Sequence, residues 1–391
     1  MAQITLVVAF SIGVMSCVHD HNDEPEVPVE PEIPIAGRTV LVYMLASGNG
    51  LGASAPYDYD MQDISEMRKA AAAGDITDGR LLIFHSSSNG NQILKEITED
   101  GTVDTLKIYD SAIRPQTAQR MSEVLDDMKD WAPAADYGMI LWGHGTGWIE
   151  DGIAEEAASD YQTYSYGSEQ NNKWKMNVTS LANVLEGRNL GFIYFDCCYM
   201  ASVEVIYQLR KAAPRIVAYP TEVLAWGMPY DRNIKHFFAK DAELVEAATN
   251  TFDYYASQTS ATYRMCTVSV FRTAGMERLA SATRAIYQNN TTGVPENYSP
   301  QSYTLSRNNY YCDFGGYVNA LKSDNQQLDE FKSALAEVVE LELATEKIWN
   351  QLPINEHSGF STFIMDSNAD VSKLNYSRLD WFDDVASALI H

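Results

Sequence analysis

Tyr137–Trp148 (YGMILWGHGTGW) and Leu190–Met200 (LGFIYFDCCYM) are two short apolar runs, each stopping at small or reactive residues. Apolar runs of this length without polar alternation read as strands buried on both faces, the pattern of a parallel sheet covered by helices. Working outward, Arg38–Ala46, Leu81–His85 and Arg215–Tyr219 have the same character. Helix-like stretches separate them at Asp58–Ala73, Gln116–Trp131, Thr179–Gly187 and Met200–Ala213, and Ile93–Tyr109 alternates around Asp100-Gly101 like a hairpin. Strand and helix in alternation predict an α/β fold with a mainly parallel central sheet and helices on both faces. Beyond residue 235 helices are expected at Asp241–Ser257, Ala274–Tyr287 and Leu328–Leu343, around a strand at Cys266–Phe271. Gly359–Met365 reads as a strand that could rejoin a sheet, and Leu379–Leu389 as an amphipathic turn. The expected organisation is a core over 38–235 and a mostly helical region over 236–391 that packs on and completes it.

In an open parallel sheet, sites form at the carboxyl ends of strands, where His144 and Cys198 both fall. A thiol becomes a nucleophile near neutral pH when a base or cation accompanies it, and histidine titrates in that range. Cys198 is therefore the candidate nucleophile and His144 its proton-transfer partner. The glycines around His144 let backbone approach a substrate, so the amides of Gly145 and Cys198 are candidate oxyanion donors. Cys197 reads as a small buried hydrophobe. Asp196, two residues before Cys198 on a strand, should share its face, where it could pair with a substrate guanidinium; the competing role is a cap on a helix starting near Met200. His85, at another strand end, is a second candidate base, while His236 and His357 read as surface or packing residues. Asp58-x-Asp60-x-x-Asp63 could suggest calcium, yet it lacks the loop glycine and closing Glu of an EF-hand, so these carboxylates read as helix caps. Neither metal nor other cofactor is expected, and Cys197-Cys198 does not have zinc spacing.

The apolar run Ile4–Val14 is too short to span a bilayer but suits a signal peptide, and it ends at Val14-Met15-Ser16-Cys17. That ending resembles the lipobox of bacterial lipoproteins, in which residues 1–17 would be a signal and Cys17 the lipid-bearing first residue of the mature chain. The first basic residue is Arg38, a departure from the usual basic start of such signals. Residues 18–37 carry six carboxylates, from Asp20 to Glu32, and prolines at 25, 28, 31 and 34, the composition of an extended tether. An acidic tether after the lipid resembles surface-export signals of some diderm bacteria, placing the protein on the outer membrane or cell surface. With 53 acidic against 28 basic residues and a formal charge of −25, the chain opposes phosphate backbones and favours cationic peptides. Cys17 apart, four scattered cysteines are too few for a disulfide framework in a chain of 391 residues.

The pair of motifs, an apolar block followed by His-Gly and a second followed by Cys-Cys, resembles the caspase–gingipain–legumain clan of cysteine peptidases, and within it the clostripain family. The resemblance extends to Asp63-Ile64-Ser65-Glu66-Met67, the His-Gly-x-Gly-Trp turn, Phe-Asp-x-Cys-x-Met with Glu204 beyond it, and Gly359-Phe360-Ser361, covering roughly Arg38 to His391. It implies a caspase-like three-layer sandwich, a Cys-His dyad at Cys198 and His144, cleavage after basic residues, and a pocket role for Asp196. It also implies possible maturation by cutting between the two motifs, here within 147–176, where Lys173 and Lys175 are the basic residues. Cys197 stands where the family has alanine. Two other readings stay open: a Cys-His acyl-transfer enzyme of another specificity, and a non-catalytic surface binding lipoprotein with a peptidase-like fold.

Overall fold

Along Ala36–Leu45 (β1) successive side chains enter opposite cores, because a strand alternates its side chains across the sheet. Leu41, Tyr43 and Leu45 pack into one apolar layer, and Val40, Val42 and Met44 into the other. The computed structural model describes residues 33–48, 50–52, 58–149, 166–169, 174–290, 295, 297–306, 309–321, 323–365 and 374–390. The span Pro34–His391 forms one unit. The further strands are β2 (Gly79–Ser86), β3 (Gln92–Ile97), β4 (Val103–Tyr109), β5 (Ala134–Trp142), β6 (Tyr166–Glu169), β7 (Trp174–Met176), β8 (Leu190–Asp196), β9 (Arg215–Ala218), β10 (Thr267–Arg272), β11 (Cys312–Asp313) and β12 (Val339–Ala344).

Nine of these form one sheet in the order β12-β10-β9-β8-β5-β1-β2-β3-β4. Its middle five, β9-β8-β5-β1-β2, are parallel, and antiparallel pairs flank them on both sides. One face carries the helices Ala118–Trp131, Val178–Leu185, Val203–Gln208 and Met276–Asn289; the other carries Tyr59–Ala72, Tyr230–Phe237 and Leu244–Ala256. This is the α/β sandwich expected from the alternation of apolar strands and amphipathic helices.

Two elements differ from expectation. The helix expected to reach Leu343 ends at Val338, and Val339–Ala344 becomes the edge strand β12 against β10. The hydrophobic period changes there from helical to two, with Leu341 and Leu343 alternating with Glu340 and Glu342. Residues beyond 235 thus supply two strands of the main sheet as well as helices. The helix expected over Met200–Ala213 is confined to Val203–Gln208, since Ser202 caps it by accepting from Val205 N (3.2 Å), with Met200 and Ala201 outside it. Ser361–Thr362 pairs with β11 in a separate two-stranded sheet, outside the main one.

That short helix carries Glu204, fully buried, whose Oε1 accepts from Thr362 Oγ1, Phe363 N and Tyr376 OH, each at 2.9 Å. Burial raises the carboxyl's pKa, opposed by these donors. The chain just past Cys198 is thereby tied to the last part of the sequence. Glu204→Ala should cost about 3 kcal/mol or more in urea denaturation, because three buried donors lose their acceptor, and Glu204→Gln should cost clearly less. Equal losses for the two variants would show that packing volume, not the acceptor, holds this junction.

Candidate active site

The β5–β8 ladder ends with Trp142 opposite Asp196, and a last long contact runs from Gly143 N to Asp196 O at 3.4 Å. Beyond it the two chains turn, and His144 and Cys198 come to line one pocket of about 290 Å3. The turns touch backbone to backbone: a Cβ on Gly145 would lie 2.6 Å from Cys198 O, and one on Gly147 (φ +68°) would lie 2.7 Å from Tyr199 O. Both positions therefore require glycine. Tyr199, directly after Cys198, takes a left-handed φ of +60°, uncommon for a residue with a side chain. On its other side the His144 turn bridges to β6 at Tyr166, with Gly167 N donating to His144 O at 2.9 Å.

Cys198 is half-buried, and its Sγ accepts from Val223 N at 3.2 Å. Burial pushes this thiol up to about 12; the Val223 amide opposes the shift, and the carboxylates of Glu222 and Asp196 add to it. Cys197 is buried, and desolvation raises its thiol well above the ordinary range. It belongs to the apolar layer beneath the sheet, consistent with packing rather than chemistry.

Asp196 lies on the pocket wall, only 4% exposed, and accepts from Met228 N (3.1 Å to each oxygen) and Tyr230 OH (3.1 Å). It caps no helix, because Cys197–Tyr199 form a turn and the next helix starts at Val203. Desolvation raises its pKa to about 6, against the lowering effect of the Met228 amide and the Tyr230 hydroxyl. A second carboxylate stands in the pocket wall at Glu222, which accepts from Trp349 Nε1. No sequence signal pointed to Glu222: it lies outside both motifs and reaches the pocket through the loop after β9.

The carboxylates expected as caps at the first helix act otherwise. Asp58 makes no side-chain cap bond, Asp63 Oδ2 accepts from Trp142 Nε1 (2.6 Å), and Asp60 Oδ2 lies 2.8 Å from His85 Nε2. His85 Nδ1 in turn faces Lys95 Nζ at 2.9 Å, so His85 sits in a buried polar chain away from the pocket lining. Among the described residues, no three His, Cys, Asp or Glu side chains gather as metal ligands. His236 pairs with Glu243 (2.7 Å), and His357 accepts from or donates to Tyr303 OH (2.8 Å), its pKa lowered to about 4 by burial. Cys17 and most of the 147–176 segment, residues 150–165 and 170–173, lie outside the described residues.

Residues 42–378 match the family model described as the clostripain family. An inactive zymogen C11 protease from Parabacteroides distasonis is 29% identical, with a TM-score of 0.76 over 90% of this chain and 99% of that one. A secreted C11 cysteine protease from Bacteroides thetaiotaomicron, solved with an irreversible peptide inhibitor, is 26% identical, with a TM-score of 0.76 over 91% and 99%. Another structure of a secreted C11 cysteine protease from that species, 23% identical with a TM-score of 0.78 over 91% and 100%, shares the fold. No curated protein matches the chain.

The raised Asp196 carboxyl makes a prediction about stability. Its pKa in the folded protein, about 6, exceeds the ordinary carboxylate value, so the native state holds this proton more tightly than the unfolded chain. The resulting stabilisation is present below about pH 4 and is lost as pH rises through about 6. Relative to wild type, Asp196→Asn should therefore gain about 3 kcal/mol between pH 4 and pH 8 in urea denaturation. A stability difference independent of pH would contradict it.

Proposed function

This chain belongs to the clostripain family of cysteine peptidases, and from that membership we propose that it is an endopeptidase cleaving after Arg or Lys, with Cys198 as nucleophile and His144 as its partner. The observation that supports basic specificity is the pocket beside Cys198, where Asp196 and Glu222 stand with no Lys or Arg among the described lining residues. A cationic side chain entering it would neutralise buried negative charge and could pair with Asp196 through a charge-assisted bond. The peptide inhibitor bound to the 26%-identical relative supports peptides as the substrate class.

In this reading the Cys198 thiol gives its proton to His144 as Sγ attacks the scissile carbonyl carbon. The carbonyl π pair moves onto oxygen, which the amides of Gly145 and Cys198 receive. Collapse of the tetrahedral species breaks the C–N bond, and His144 returns the proton to the leaving amine. Water, deprotonated by His144, then releases the acyl group and restores the thiol. The dyad calls for no cofactor. A cation in the pocket also offsets the two carboxylates that disfavour the thiolate, so binding of the basic residue and activation of the nucleophile reinforce each other.

We also propose export and attachment through a lipid on Cys17, supported by the lipobox-like sequence Val14–Cys17 and the tether that follows. Incorporation of labelled palmitate should vanish in Cys17→Ser; undiminished labelling would end this part of the proposal.

Specificity is tested with Arg and neutral reporter peptides. Cys198→Ala should abolish hydrolysis of both while Cys197→Ala keeps most of it. Asp196→Asn should cost the Arg peptide about 2–4 kcal/mol in kcat/KM and the neutral one far less. Equal losses for the two peptides would remove Asp196 from substrate recognition, and activity surviving in Cys198→Ala would remove the nucleophile.

A further inference from the structure

Past Trp142 and Asp196 the ladder between β5 and β8 is finished, so the spacing of His144 and Cys198 is set by how their turns are held together. Gly145 and Gly147 allow close approach, but backbone contact alone does not fix it. One side chain from another part of the fold touches both turns. Tyr311 donates from its hydroxyl to Thr146 O at 2.6 Å, two residues beyond His144. Its ring stacks on Tyr199, directly after Cys198, with centroids 4.3 Å apart and planes 19° from parallel. Tyr199 is the residue with the left-handed φ, so the stack bears on the strained point of the nucleophile turn.

Tyr311 is itself rigidly placed. It is 4% exposed, and its carbonyl accepts from Tyr303 N at 2.8 Å. The neighbouring Tyr310 carbonyl accepts from Trp148 Nε1 at 3.1 Å, giving the His144 turn a second hold on the same segment. Asp313 N donates to Gln301 O at 2.8 Å on the far side.

We propose that Tyr311 is a positioning residue that clamps the His144 turn to the Cys198 turn and so sets the geometry in which the proton passes between them. The proposal rests on the dyad reading above. Tyr311 is not among the residues that line the pocket, so it should affect turnover more than substrate binding. A misplacement of a reacting pair by a fraction of an ångström is enough to lower the rate strongly.

Tyr311→Phe keeps the ring and deletes the hydroxyl; Tyr311→Leu deletes the stack as well. With an Arg reporter peptide, Tyr311→Phe should lower kcat about tenfold with KM within about twofold of wild type, and Tyr311→Leu should lower it further. The pH profile of Cys198 alkylation by iodoacetamide should shift in Tyr311→Phe while its melting temperature stays near wild type, a readout that needs no turnover and that loss of packing alone would not move. Wild-type kcat and alkylation profile in Tyr311→Phe would overturn the clamp, as would a rise in KM at unchanged kcat. His144→Ala and Cys198→Ala separate the two levels: if either stays active the dyad reading fails and the clamp with it, whereas if both are inactive and Tyr311→Phe is normal, the clamp alone fails.

Discussion

β5 and β8 run side by side and parallel, with Trp142 opposite Asp196, so their chains leave the sheet at the same level and in the same direction. Antiparallel neighbours would have put one of these ends on the opposite edge. Parallel neighbours require a crossover, and within this one β6 and β7 pair in a two-stranded sheet of their own. His144 and Cys198 owe their place in the pocket to the pairing of β5 with β8, through the strand ends, and Glu222 reaches it through the loop after β9, the next parallel strand.

The region just below the pocket concentrates carboxylates where water does not reach. Asp63 and Asp196 are both raised by desolvation, and each raises its neighbours further, as Asp196 does for Asp63. Such groups weaken the fold unless donors answer them, and here the donors are fixed ones: Trp142 Nε1, Met228 N and Tyr230 OH. Burial is the main cause that keeps the Cys198 thiol neutral, and Glu222 and Asp196 add to it.

The last third of the chain does more than cover the sheet. β10 and β12 extend it, Thr362, Phe363 and Tyr376 hold Glu204, and Tyr310 and Tyr311 hold the His144 turn. The two motif turns therefore contact a common support that comes from more than a hundred residues later in the chain. Trp148 joins that support by stacking on Phe363 and meeting Tyr376 edge-on.

The buried strands were legible in the sequence because each is a continuous apolar run, and parallel strands covered on both faces have no polar side to show. The two motif ends were legible for the same reason: a run of buried residues that stops at Gly-His-Gly or Asp-Cys-Cys carries its chemistry to a strand end, whatever lies elsewhere. In sequence β12 reads as the end of a helix, since it follows one without a break, and only its pairing with β10 rewards the change of period at Val339. Glu222, Trp349 and Tyr311 could not be assigned from sequence, and Asp63 reads there as a cap rather than as a partner of Trp142. Their roles depend on contacts across many residues, such as Tyr311 with Thr146 and Asp63 with Trp142. Sequence alone thus determined which candidate residues stand at the strand ends and on which kind of scaffold, since both follow from local hydrophobicity and side-chain chemistry. Tertiary structure decided which carboxylates face the thiol and what holds the two turns together, because long-range packing alone sets those distances.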